Sequence, residues 1–172
     1  MTLPNDYAGQ ACSLARSLEI IGERWTLLII RDALWGVRRF GDFADHLRLP
    51  RAVLASRLKA LTAAGVMTRV GGKRDVEYEL TPMGVGLWPV VLNLMSWGDD
   101  FCAPGGPRRV FRHAADDGQL GRSGTCAECG GQVPAADVIA YPGPGLEEPA
   151  PDADWVTTAF STPHRLLVRL RS

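Results

Sequence analysis

Apolar positions along this chain recur first with a helical period and then with an alternating one, and the breaks between them mark its elements. Leu14, Leu18 and Ile21 recur at i, i+4 and i+7, which predicts an amphipathic helix over about 12–21, interrupted at Gly22. The run RWTLLIIRDALWG is apolar almost all round, so it predicts a central helix buried on more than one side, stopped by Gly36. RRFGDFADHL places Phe40, Phe43 and Leu47 on one stripe of a third helix. Leu49-Pro50 breaks the chain, because a residue before proline is pushed out of the helical region. Proline suits the first turn of a new helix, and LPRAVLASRLKAL supplies one with Leu54, Leu58 and Leu61 as its buried stripe, ending near Gly65.

Two short strands follow, VMTRV (66–70) and DVEYELT (75–81), joined by GGKR. Gly71-Gly72 signals a turn, and Val76, Tyr78 and Leu80 alternate as a half-buried strand requires. Thr81-Pro82 opens a long helix to about Phe101, with Leu87, Val91, Leu94 and Trp97 on one face and Pro89 kinking it from within. Trp88, Val90 and Met95 widen that face beyond what one domain of this size needs to cover, which points to a dimer. The fold class is mainly α with a small β-hairpin wing (α+β), the plan of a winged helix-turn-helix. After Cys102 the composition changes. APGGPRR reads as a linker, YPGPGLEEPAPDAD as a flexible Pro/Gly/acid-rich spacer, and the tail as a short basic helix capped by Ser161. The chain therefore divides into a DNA-binding and dimerisation domain, 1–104, and a C-terminal extension, 105–172.

Charge sharpens this reading. The chain is neutral by count, 19 basic against 19 acidic residues, yet residues 38–74 carry nine cations against Asp42 and Asp45, about +7. A polarised molecule of this kind presents its basic part to a polyanion. With 46% apolar residues the chain can bury a real core, and no apolar run reaches the roughly 18 residues of a membrane span. The N-terminus has no signal-peptide pattern, so the expected location is the cytoplasm. His46, His113 and His164 are scattered, and no Ser/His/Asp grouping, phosphate loop or HExxH motif accompanies them, so no enzyme is expected.

A helix-turn-helix holds its second helix in the major groove while the first braces it. At 100° per residue, with Leu54 at zero, Leu58 and Leu61 fall within about 40°, while Ala52, Ala55, Ser56 and Lys59 face outward. Arg51 projects from the helix N-terminus, the part that meets base edges. Arg57 lies about 60° from Leu54, at the edge of the buried stripe, where it is either a phosphate contact or an internal ion pair. Arg38 and Arg39 supply further phosphate attraction, and Lys73 and Arg74 at the hairpin tip reach the adjacent minor groove or backbone. The alternative is a winged-helix module whose basic face binds an acidic protein partner.

The pieces GERWTLLIIRDAL, RRFGDF, LASRLKAL and VEYELTPMG, within Cys12 to about Phe101, resemble the HxlR-type winged-helix transcriptional regulators, relatives of the MarR-type fold. The resemblance implies a homodimer, joined by its first and long last helices, that binds double-stranded DNA at a pseudo-palindromic operator. It also implies transcriptional control, expected here as repression relieved by an unidentified small molecule or redox signal. The family usually has serine at the start of the recognition helix and a polar or basic residue two positions on; here these are Pro50 and Ala52.

Cys12 coincides with the N-terminal cysteine of many such regulators, some of which resemble redox or electrophile sensors. A cysteine at a helix N-terminus sits at the positive end of the helix dipole, which favours its reactive form. Cys126 and Cys129 form a C-x-x-C-G knuckle, but zinc needs four ligands and no second pair exists. His113 and Cys102 are the nearby candidates, and HAADDG has acids where longer relatives place another cysteine. The knuckle is expected to be a degenerate turn and the protein to need no cofactor, with zinc as the alternative.

Overall fold

The computed structural model describes Tyr7 and residues 9–72 and 75–171. Lys73 and Arg74, read above as the wing's DNA contacts, lie outside the described residues. Helices α1 (Ser13–Ile21), α2 (Thr26–Leu34), α3 (Phe40–Leu47) and α4 (Arg51–Ala63) lead into an antiparallel hairpin, β1 (Met67–Val70) and β2 (Glu77–Leu80). Then come α5 (Pro82–Val85), α6 (Trp88–Cys102) and a second antiparallel sheet, ordered β3 (Arg109–His113), β4 (Val138–Pro142) and β5 (His164–Arg165). A short helix, α7 (Trp155–Ala159), lies between β4 and β5. The fold is the winged helix-turn-helix that the periodicities predict, followed by a small sheet that they do not.

Helix α2 is the core. Ile29, Ile30, Ala33 and Leu34 are fully buried, as a helix apolar all round must be. Gly36 stops it at φ +95°, a left-handed conformation that favours glycine, and a Cβ there would strike the Val168 carbonyl. Asp32 is also wholly buried, accepting from Arg31 Nε at 2.9 Å and from His46 Nδ1 at 2.7 Å. That hydrogen bond ties α3 to α2. Arg48, left-handed at φ 50°, ends α3, and Pro50 precedes α4 with its carbonyl accepting from the Val53 and Leu54 amides. Leu54, Leu58 and Leu61 then close over the core, as their spacing requires.

Three expectations are corrected. Residues 82–101 form two helices, not one kinked helix. Thr81 caps α5 by accepting from Gly84 N at 3.3 Å, α5 stops at Gly86, and Pro89 falls in the first turn of α6, where its missing N–H costs nothing. The tail is not a helix capped by Ser161. The helix comes earlier, capped by Asp154, whose Oδ1 accepts from Thr157 N at 3.0 Å, and His164–Arg165 is a strand beside β4. Burial of Leu166, whose amide donates to Val138 O at 2.9 Å, outweighs the weak local helical pattern. The proline- and glycine-rich spacer is held to the chain, Gly143 and Gly145 donating to the carbonyls of Arg108 and Pro107.

One hydrophobic core spans both halves of the chain. The Trp35 ring meets Phe111 at 5.6 Å and Phe160 at 6.5 Å, both from the extension, as well as Trp88 at 6.2 Å. The tail then runs past the end of α2, with Leu167 N donating to Leu34 O at 2.7 Å and Leu170 N to Gly36 O at 3.0 Å.

Arg38 is the knot of this junction, and here the sequence reading fails. It is only 7% exposed and donates to the carbonyls of Ala33 at 2.6 Å, Val37 at 3.1 Å and Leu167 at 2.9 Å. Burial lowers its pKa from the ordinary arginine value, opposed by Glu79 and Glu77. It satisfies buried carbonyls, so it is withdrawn from any DNA contact. Replacing it with alanine strands those carbonyls, at a cost of about 1–3 kcal/mol. Arg38→Ala is therefore expected to lower the urea midpoint while the folded fraction keeps its DNA affinity; unchanged stability with lost affinity would return Arg38 to the interface.

Candidate nucleic-acid interface

Helix α4 carries its polar groups on the side its leucines leave free. Ala52, Ala55, Ser56 and Lys59 are exposed, which follows from the 100° step between residues, and Arg51 is exposed at the first position of the helix. Arg51 is held by the Phe40 ring, its guanidinium carbon 5.8 Å from the ring centre. Among the described residues neither Arg51 nor Lys59 forms a salt bridge with an acid. Alanine at two outward positions keeps the helix surface low, so a groove wall can approach closely.

Arg57 does not join them. Its Nη1 lies 3.3 Å from Glu23 Oε2, with the arginine side chain 26% and the glutamate 61% exposed, so the pair is at the surface and not the internal one expected. Arg39 is exposed, its Nε 3.8 Å from Glu77 Oε1, a loose contact that leaves the guanidinium available.

The sequence reading missed Arg69. Antiparallel pairing sets Arg69 opposite Tyr78, with its guanidinium carbon 5.9 Å from that ring. Both residues line a cleft of about 420 Å³ with Ala55, Lys59, Thr62 and Ala63 of α4. The wing thereby adds a cation to the exposed side of α4. The alternation of Tyr78 was visible in sequence, but which face Arg69 shares depends on strand register.

The apolar stripes of α1 and α6 split between core and surface. Ile21 and Val91 point inward, whereas Leu14, Leu18 and Ile20 of α1 and Val90, Leu94, Trp97 and Phe101 of α6 are exposed. Trp97 and Phe101 lie 5.4 Å apart, centre to centre, at the outer end of α6. Of the tryptophans, Trp35 and Trp88 are core, Trp25 is partly buried under Arg24, and Trp97 is surface. Cys12 is exposed at the N-cap of α1, two residues before Leu14. A cavity of about 170 Å³ opens beside Trp35 and Phe160, with Arg31, Arg108 and Arg109 in its wall.

Residues 20–105 match the model of the HxlR-like helix-turn-helix family. An HTH-type transcriptional regulator of Mycobacterium tuberculosis is 42% identical over 139 residues, 78% of this chain and 88% of that protein. The HTH-type transcriptional regulator YodB of Bacillus subtilis is 32% identical over 93 residues, 52% of this chain and 83% of YodB. Among solved structures, that of PA1607, assigned as a transcription factor, superposes with a TM-score of 0.59 at 34% identity, covering 83% of this chain and 96% of that one.

The division of labour on α4 has a direct test. Lys59→Ala is expected to weaken binding to cognate DNA by about 1–3 kcal/mol and relax sequence choice. Arg57→Ala should lose only a surface ion pair, worth about 0–1 kcal/mol, and leave sequence choice unchanged in competition binding.

Proposed function

Because the chain belongs to the HxlR-like helix-turn-helix family and is a DNA-binding transcriptional regulator, we propose that it works as a homodimer on a pseudo-palindromic operator, as a repressor released by a chemical signal. The observation that carries this reading is the exposed side of α4. Among the described residues Arg51 and Lys59 stand there without acidic partners, Ser56 offers a hydroxyl, and Arg69 reaches the same side from the wing. Base contacts are assigned to Arg51, Ser56 and Lys59, thymine-methyl contacts to Ala52 and Ala55, and backbone contacts to Arg39, Arg69, Lys73 and Arg74. No observation favours an acidic protein partner for this surface.

The dimer reading rests on the exposed side chains of α1 and α6, an apolar surface that a soluble monomer rarely leaves uncovered. A two-fold dimer placing two copies of α4 about 34–36 Å apart would match half-sites one turn of DNA apart. Binding to the protein's own upstream DNA should then fall steeply with salt, log affinity dropping about 0.9 per phosphate neutralised for each tenfold rise. A Trp97→Asp protein that sediments as a monomer should bind the same DNA far more weakly. Failure to bind that DNA or genomic fragments at low salt overturns the reading.

Cys12 is the residue proposed to receive a redox or electrophilic signal, since it is exposed at the edge of the surface assigned to dimerisation. Modification there would bias the dimer and thereby the spacing of the two α4 helices. Diamide or an aldehyde is expected to release the wild-type protein from DNA and to leave Cys12→Ser bound. An equal response in both proteins removes Cys12 from the role.

A further inference from the structure

The knuckle in the extension does not stand alone. His113 ends β3, Asp116 lies in the turn that follows it, and Cys126 and Cys129 flank the knuckle turn. These four residues come from two separate turns, yet one potential ligand atom from each lies within 4.8 Å of all the others. His113 Nδ1 is 3.0 Å from Asp116 Oδ1, Cys126 Sγ is 3.2 Å from that same oxygen, and Cys129 Sγ is 3.7 Å from His113 Nδ1. Metal–ligand bonds of about 2.0–2.3 Å give a tetrahedron with edges of roughly 3.3–3.8 Å. The 3.7 Å separation falls in that range, and the two to Asp116 Oδ1, 3.0 and 3.2 Å, fall just short of it. A modest outward shift of Asp116 Oδ1 would open the centre of the cluster to an ion.

The backbone around the cluster serves this convergence. Gly130, at φ +69°, turns the knuckle back, its amide donating to Cys126 O at 3.0 Å. Cys126 N donates to Gly131 O at 2.9 Å, and Ala127 N donates to Gln119 O at 3.0 Å, which fastens the knuckle to the strand-like segment after Asp116. Gly118 N donates to Asp116 Oδ1 at 3.0 Å and orients the carboxylate. A Cβ at Gly118 would collide with Cys126 Sγ, so only glycine lets the two turns close on each other here. Cys126 is 1% exposed and belongs to the core with Leu120 and Val133, while Cys129 and Asp116 are open to solvent. An ion thus has both a fixed inner ligand and an entry path.

We propose that His113, Asp116, Cys126 and Cys129 bind one zinc ion that fastens the knuckle to the end of β3. Two thiolates, an imidazole and a carboxylate suit zinc over hard cations such as calcium or magnesium, which take oxygen ligands alone. Binding releases one proton from each thiol. Two thiolates and one carboxylate around a divalent ion leave the site at −1, with the imidazole neutral. The four ligands fill the tetrahedron, so the ion is structural, with no open position for catalysis. It cross-links the end of β3 to the knuckle, whose Gly124 lies beside Leu92 of α6, the helix assigned to dimerisation.

The test uses the full chain, purified without chelator, and reads metal rather than DNA binding, so its outcome is separable from the proposal for α4. Elemental analysis is expected to find about one zinc per chain. Stripped protein reloaded with cobalt should show the visible bands of a tetrahedral ion and a thiolate-to-metal charge-transfer band. Cys129→Ser and Asp116→Asn change exposed side chains, so the chain should still fold, and each should lower zinc affinity at least about tenfold in chelator competition. Circular dichroism on the same samples confirms that they are folded. Less than half an equivalent of zinc with no charge-transfer band overturns the proposal, as does equal zinc affinity in either folded variant. Recovery of a metal-free protein with Cys126 and Cys129 joined as a disulfide would instead make the pair a dithiol.

Discussion

Most of helix α2 is buried, with Leu27, Leu28 and Arg31 partly open to solvent, and its buried polar groups must be answered by the protein, since water cannot reach them. Within the helix Asp32 is answered by Arg31 and by His46 of α3. Beyond its end, Arg38 and the amides of Leu167 and Leu170 answer the carbonyls of Ala33, Leu34, Gly36 and Val37. The rest of the architecture follows from these contacts. His46 sets α3, and α3 with its left-handed exit at Arg48 sets the angle at which α4 leaves. The tail, drawn in by the same carbonyls, brings β5 and the second sheet onto Trp35. A break in this arrangement would loosen the DNA-reading helix and the extension together.

The charge imbalance of residues 38–74 is real but only part of it faces outward. Arg38 serves the interior, and Arg57 is paired with Glu23 beside the core. Among the described residues Arg39, Arg48, Arg51, Lys59 and Arg69 remain exposed, those of α4 spaced by alanines and one serine. Such a surface suits close fit as well as attraction, because short alanine side chains between the cations let a partner approach the helix backbone. Counting charges along the sequence overstates the electrostatic contribution, since burial removes a cation from solvent without removing it from the count.

The extension carries the other lesson. Its cysteine pair reads as a degenerate turn when only cysteine and histidine are sought as partners along the chain. Folding brings His113 and Asp116 to within 4.8 Å of that pair, and Cys102 is not in the group. A group of side chains drawn from two turns has no linear spacing rule that includes the carboxylate. The exposed apolar residues of α1 and α6 behave similarly: the stripes are visible as periodicity, but periodicity does not say which of their members turn away from the core.

Sequence alone determined whatever depends on neighbours within a few residues. The stripe of Leu54, Leu58 and Leu61, the break at Leu49-Pro50 and the stop at Gly36 all follow from backbone sterics and from the need of apolar side chains to share a face, whereas the alternation read at Val76, Tyr78 and Leu80 gives no alternation of burial in β2. Tertiary structure decided the rest: the burial of Arg38, the pairing of Arg57 with Glu23, the strand in place of a tail helix, and the meeting of His113 and Asp116 with the knuckle. Each of these joins segments far apart in the chain, or turns on which solvent a side chain has lost. A contact of that kind is stabilised by burial that exists only once the core has closed, so no local pattern records it.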